Sequence, residues 1–311
     1  MSEADATAQL ITVDWGTSNL RASLIDAQGT IVDQINSDQG LLSNPTDFGA
    51  CLSGVIQPWL ERSPRTRTIL SGMVGSPNGW IEVPHIPCPA SPRALAAGAH
   101  AIDGFGYGGA WIVPGVSGQG AAGLHDVMRG EEVQFFGAGQ LLAAQGLPQP
   151  QRWCFPGTHN KWIDAGAEIT RFSTSMVGEF FDLAQRHSLL TQSITPEGPT
   201  ENLQKREADF LRGVATSQTT GGLLHHLFSV RSLQLKGTHS KAQGAAYLSG
   251  ILIGHDICSQ APDRDAPIGI VASPMLADRY QLALTKLGYD CATIDAQLAT
   301  AQGALLVAKH L

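Results

Sequence analysis

The strongest constraint on the fold is a pattern that occurs twice. Residues 9–36 read QLITVDW, GTSN, LRASLID, AQG, TIVDQI: three short runs rich in β-branched residues, split by glycine-containing turns. Such runs are strands, and turns this short must join them antiparallel, because a parallel crossover needs a dozen residues or more. From Trp153 the chain repeats the plan as WCFPGTHNKWIDAGAEITRFS. Gly157-Thr158-His159-Asn160 falls on Gly16-Thr17-Ser18-Asn19 at an offset of 141 residues, and Trp162-Ile163-Asp164 comes close to Leu24-Ile25-Asp26, three residues early. A repeat at nearly half of 311 residues predicts two lobes. The segment GLPQPQ at 146–151 is the expected linker, giving lobes of 1–148 and 149–311.

Between and after the meanders, hydrophobic periodicity predicts helices at 47–60, 131–145, 178–190, 203–213, 221–228, 240–256, 275–287 and from about 297. Strands are expected at 67–74, 111–115, 267–272 and 289–294, with an irregular Pro-rich stretch over 84–92. Meanders followed by alternating helices and strands describe an α/β protein with a mixed sheet flanked by helices in each lobe.

Glycine at a strand-to-strand turn lets backbone N–H groups converge on an anion. Thr17, Ser18, Asn19, Thr158 and Asn160 add side-chain donors, so two such turns suit the two ends of a polyphosphate. Asp14, at the end of its strand, is a hard oxygen ligand for Mg²⁺; the second copy has Phe155 there, so only the first turn should handle metal. Plain hairpin turns would use similar letters, but two copies, one with Asp14 and the other followed by Lys161, favour the phosphate reading. There is no G-x-x-x-x-G-K-[ST] and no protein-kinase glycine loop.

The remaining composition narrows the class. A net charge of -7 argues against a nucleic-acid binder. Five scattered cysteines, never in C-x-x-C spacing, read as free thiols of a cytoplasmic protein. The polar N-terminus resembles neither a signal nor a transit peptide, and no apolar run approaches the ~20 residues of a membrane span. The histidines lack zinc spacing, including His85, Cys88 and His100 and the adjacent His225 and His226.

ITVDWGTSNLR and FPGTHNKW resemble the phosphate-1 and phosphate-2 motifs of the actin, sugar-kinase and Hsp70 superfamily. More narrowly, SGMVGSPNGW, WIVPG, VMRGEEVQ, PGTHNKW, TSMVGEFFDLAQRHSLL, YLSGILIG and the stretch ending DRYQLALTKLGYD are similar, in order along nearly the whole chain, to the 2-dehydro-3-deoxygalactonokinase family. The resemblance implies two actin-like (ribonuclease H-like) lobes with a nucleotide cleft between them, the two Gly-Thr turns facing each other across it. It also implies a phosphotransferase that uses ATP and Mg²⁺ on the 6-hydroxyl of 2-dehydro-3-deoxy-D-galactonate in galactonate catabolism. The partners would then be a sugar acid and ATP, with neither nucleic acid nor membrane. A homodimer stays open, as do a kinase of another sugar or sugar acid and a non-catalytic sugar sensor on the same fold.

Phosphoryl transfer needs positioning, charge neutralisation and a base. Glu131 is the preferred base, with Glu132 and Asp14 as rivals; the helix dipole alone would also favour acids at that helix start. Gly16, Thr17, Ser18, Asn19 and Arg21 would take phosphate in the first lobe, and Gly157, Thr158, His159 and Lys161 in the second. Arg129 is the candidate for the substrate carboxylate, unless it pairs structurally with Glu131 or Glu132. Ser76 and Asn78 offer partners for sugar hydroxyls and Trp80 an aromatic wall, although a core-packed Trp80 would look the same. Ser273 is the candidate adenosine contact; the glycine pair usual in the superfamily is missing from Ile270-Val271-Ala272-Ser273-Pro274.

Overall fold

The computed structural model describes residues 8–43, 47–106, 108–120, 123–195, 206–261 and 264–311. The chain forms two units. One holds the residues up to Gln149 together with Ala165–Phe172 and Asp295–Leu311; the other holds Pro150–Asp164 and Ser173–Ile294. The stretch expected as the second lobe, 149–311, is thus divided, and the final helix belongs to the first unit.

In the first unit the opening meander is β1 (Ala8–Trp15), β2 (Leu20–Asp26) and β3 (Ile31–Ser37). It is followed by α1 (Phe48–Arg62), β4 (Arg67–Gly72), β5 (Ile86–Pro87), α2 (Pro92–Ala97), β6 (His100–Ile102), β7 (Ala110–Ile112), β8 (Val116–Gln119), β9 (His125–Met128) and α3 (Glu131–Ala144). The main sheet runs β3-β2-β1-β4-β7-β6, with β1 antiparallel to β2 and parallel to β4. Leu10, Ile11, Val13 and Trp15 are all buried, as a central strand covered on both faces requires. Asp47 caps α1 by accepting the Ala50 N–H at 2.9 Å, and Leu52, Ile56 and Trp59, one stripe of that helix, close the core.

Several expectations are corrected here. The strand expected over 67–74 ends at Gly72 and passes into a 3₁₀ turn, and the one expected over 111–115 is three residues long. The stretch 84–92 is not wholly irregular: β5 pairs with β8, and β8 with β9, in a separate three-stranded sheet. Strands of two to four residues carry too little periodicity to be seen in sequence.

The second unit contains β10 (Arg152–Phe155), β11 (Asn160–Ala165), β12 (Ile169–Ser175), α4 (Val177–His187), α5 (Glu207–Ser217), α6 (Gly222–Leu235), α7 (Lys241–Gln260), β13 (Ile268–Ala272), α8 (Pro274–Leu287) and β14 (Cys291–Asp295). Its sheet runs β12-β11-β10-β13-β14, with β10 antiparallel to β11 and parallel to β13. This is the first sheet's plan again: an antiparallel three-stranded meander joined by its first strand to a parallel one. The helix expected over 203–213 spans 207–217, residues 203–205 lying outside the described ones, and the helix expected to end at 228 continues to Leu235.

The last helix, α9 (Ala296–Ala308), is capped by Asp295, which accepts the N–H groups of Gln297 and Leu298. It packs against α3 with glycines at the crossing: a β carbon at Gly137 would collide with Ala299 O, and one at Gly303 with Val133 O. Each unit has the α/β arrangement of a mixed sheet flanked by helices.

Candidate functional site

Asp14, one residue before the end of β1, lies directly opposite Arg21 of β2, and the two side chains pair at 3.4 Å. Burial pushes the Asp14 carboxyl up; Arg21 opposes that and the charge of Glu131 adds to it. Glu131, the first residue of α3, therefore lies within electrostatic reach of Asp14 in the same unit. Room beside Asp14 depends on Gly72, whose φ of +89° favours glycine and whose β carbon would sit 3.1 Å from Asp14 Oδ1.

The turn after β1 is held from behind. Gly16 N–H donates to Asn19 O at 2.9 Å, while Gly16 O and Thr17 O accept from Leu41 and Leu42 at 3.1 and 2.8 Å. Thr17, Ser18 and Asn19 are exposed, and the amides of Thr17 and Ser18 meet no partner among the described residues. These are the features of an anion-binding turn whose carbonyls have been turned away.

Arg129 and the two glutamates share the bend between β9 and α3, which Gly130 makes with φ of +113°. Glu132 is fully buried, and both its oxygens accept the Gly130 N–H, at 2.8 and 2.7 Å. Burial, then the Glu131 charge, push its carboxyl up to about 8. Glu132 thus locks the bend from inside. Arg129 Nη2 donates to Val83 O at 2.7 Å and lies 3.4 Å from His85 Nε2; its hydrogen bonds do not go to Glu131 or Glu132. Its Nη1 is buried without a partner among the described residues, in space left by Gly75.

The other sugar-site candidates lie on the same unit's 73–80 turn. Ser76 is buried with its Oγ unpartnered among the described residues, and Asn78 is exposed. Trp80 stacks on Phe48 at 6.3 Å and meets the edge of Phe105 at 5.7 Å, so both neighbours draw it toward the core.

In the second unit the turn 156–159 is braced from two sides. Asn160 Oδ1 accepts the Gly157 N–H at 2.9 Å, and the Asn160 amide donates to Asp256, 96 residues away, at 3.0 Å. Asp256 also accepts from Trp162 Nε1 at 2.9 Å and Tyr280 at 3.4 Å. Burial pushes the Asp256 carboxyl up despite these donors. Glu179 of α4 donates its N–H to Thr158 O at 3.0 Å and pairs through its carboxylate with His159. Lys161 is buried, its Nζ 3.4 Å from His159 O, so its ammonium folds back toward the turn. Ser273 is exposed at the start of α8, its hydroxyl not used as a cap. Beside the turn a narrow crevice of about 60 Å³ is lined by Gly157, Gly178, Phe181, Leu276 and Arg279, among others.

His85, Glu179 and Asp256 escape the sequence reading. Each acts through a partner distant in the chain, and no local spacing marks them. No three potential ligands among His, Cys, Asp and Glu gather into a metal-binding group among the described residues. The Asp14 carboxylate still fits Mg²⁺, which is held by one or two carboxylates, its own waters and substrate phosphates.

Known proteins are similar to this chain over nearly its whole length. The 2-dehydro-3-deoxygalactonokinase of Escherichia coli (strain K12) is 32% identical over 293 residues, 93% of each protein. A probable 2-dehydro-3-deoxygalactonokinase of Rhizobium meliloti (strain 1021) is 32% identical over 96% of both. A crystal structure assigned to 2-dehydro-3-deoxygalactonokinase from Sinorhizobium meliloti superposes with a TM-score of 0.84 at 31% identity, covering 97% of this chain and 96% of the other. The family model for 2-keto-3-deoxy-galactonokinase matches residues 14–307, from the strand-end aspartate to the last turns of α9, and the chain belongs to that kinase family.

Proposed function

We propose that this kinase transfers the terminal phosphoryl group of ATP, with Mg²⁺, to the 6-hydroxyl of 2-dehydro-3-deoxy-D-galactonate. The products are 2-dehydro-3-deoxy-6-phosphogalactonate and ADP, in galactonate catabolism in the cytoplasm. The observation that carries the reading is the grouping in one unit of Asp14, Glu131 and an Arg129 arm left without a partner among the described residues. Asp14 would hold Mg²⁺, which neutralises phosphate charge when bound. The Thr17 and Ser18 amides would take phosphate oxygens, with Arg21 beside them. Glu131, at the positive end of α3, would receive the hydroxyl proton. Arg129 would meet the carboxylate, and Ser76 and Asn78 the sugar hydroxyls.

In the second unit, Gly157, Thr158, His159 and Lys161 would serve the phosphates, and Ser273 the adenosine. The five free cysteines suit a reducing compartment, and no helix among the described residues is long and apolar enough to cross a membrane.

The reading is tested by coupled ADP release across 2-keto-3-deoxy sugar acids and neutral sugars. The galactonate derivative should be the best acceptor. Arg129→Ala should raise its KM about 30- to 150-fold, as expected for losing a charge-assisted pair of about 2–3 kcal/mol, with little change in KM for ATP. Equal changes in both KM values would return Arg129 to a structural role, and absence of ADP release with every acceptor would favour a sugar sensor.

A further inference from the structure

The two arms of the Arg129 guanidinium are used differently. Nη2 carries two hydrogens; one goes to Val83 O at 2.7 Å, and His85 Nε2 lies 3.4 Å away as the second acceptor. A guanidinium can only donate, so His85 must accept, which requires the neutral imidazole with its proton on Nδ1. Nη1 is buried without a described partner, and a β carbon at Gly75 would sit 2.8 Å from it. The imidazole is itself held in place. Its ring lies on the backbone of Gly115, where a β carbon would come within 2.9 Å of Nε2. His85 stands just before β5, which pairs with β8, so the short three-stranded sheet places the ring.

From these contacts the geometry points to His85 as a positioning residue for substrate selection: as an acceptor on Nη2 it fixes the guanidinium plane of Arg129, so that Nη1 faces the acid group of the sugar. This deepens the carboxylate reading of Arg129 and rests on it. Without the acceptor, Nη2 keeps one anchor and the planar fork can rotate, losing the alignment on which bidentate or end-on carboxylate binding depends. Two conditions favour the neutral acceptor form: burial lowers the imidazole's affinity for a proton, and so do the neighbouring charges of Arg129 and His125. The charges of Glu82 and Glu132 act on Arg129 from the other direction.

The test compares His85→Leu, which removes the acceptor, with His85→Gln, whose amide oxygen can reach the Nε2 position, by steady-state kinetics on the sugar acid and ATP. His85→Leu should raise KM for the sugar acid about tenfold while KM for ATP and kcat stay within about twofold. His85→Gln should recover most of that loss. In an Arg129→Ala background His85→Leu should add nothing, because its effect passes through the guanidinium. A purely packing role predicts the opposite: additive losses, equal changes in both KM values, and no rescue by glutamine. Any of these results overturns the proposal, as does a native KM in His85→Leu. If Arg129→Ala itself leaves the sugar-acid KM unchanged, the carboxylate reading fails first. If only the His85 variants are silent, that reading stands and the positioning role falls. Should His85→Leu fold poorly, the glutamine variant and the double mutant still decide.

Discussion

At Asp14, burial works against the ionised carboxylate that a cation site needs, and Arg21, 3.4 Å away, offsets it. Such a charge is costly in the isolated protein and useful when a metal and phosphates arrive. Asp14→Asn should therefore melt no lower than the native protein and lose about 10²-fold or more in kcat. Near-native kcat in a folded variant would remove the metal role. Glu132 allows a separate test on stability. Its folded pKa, about 8, is raised above the ordinary value of 4.5, so the folded chain holds a proton that the unfolded chain releases. That contribution is complete below about pH 4.5 and is lost as pH rises toward 8. Glu132→Gln keeps an oxygen for the Gly130 N–H and carries no charge. It should match the native protein near pH 5 and exceed it in melting temperature near pH 8, by at most ~4 kcal/mol of stability. Parallel pH profiles for the two proteins would show that Glu132 is not protonated in the fold.

Helix α3 presents Arg129 and Glu131 from its N-terminal end, so its placement sets the site, and that placement depends on the crossing with α9. Replacing a helical glycine by alanine ordinarily stabilises by about 1 kcal/mol. At Gly137 the added methyl would meet the carbonyl of Ala299, a rigid backbone group rather than a yielding side chain. Overpacking of this kind costs roughly 1–3 kcal/mol, enough to reverse the sign. Gly137→Ala should lower the melting temperature by several degrees and reduce kcat through displacement of α3. A stabilised variant would show that the two helices are not in close contact.

At the scale of the whole molecule, the second unit exposes an apolar face among its described residues. Met176, Phe180 and Leu223 rim a cavity of about 400 Å³, and on α6 Leu224 (81% exposed) and Phe228 (56%) form an adjoining i, i+4 ridge. At roughly 150–250 Å² for a large side chain, these five expose about 500 Å², the size of the largest apolar patch on a typical protein surface and one that often marks an interaction site. Two copies related by a two-fold axis would bury about 1,000 Å², the lower bound of a specific interface. We therefore expect a homodimer through this face. Light scattering should give twice the chain mass at micromolar concentration, and Leu224→Glu with Phe228→Glu should give the monomer with the kinase fold intact. A native protein that is monomeric throughout would leave this face to another partner.

The parts of this protein legible in sequence are those coded over a few neighbouring residues. Period-two alternation and turns too short for a crossover specified both meanders, and the Gly-Thr repeat disclosed two similar sheets, because strand pairing across a tight turn is a local matter. The same locality exposed Asp14 at a strand end and placed Arg129, Glu131 and Glu132 at a helix start. Which of those side chains turns inward was not local. Arg129 reaches Val83 and His85, 46 and 44 residues earlier. The return of α9 to the first unit and the pairing of β5, β8 and β9 were likewise decided by burial among distant segments. The single-residue preferences there are too weak to choose a partner, and the free energy that chooses one comes from surfaces that exist only once the chain has folded.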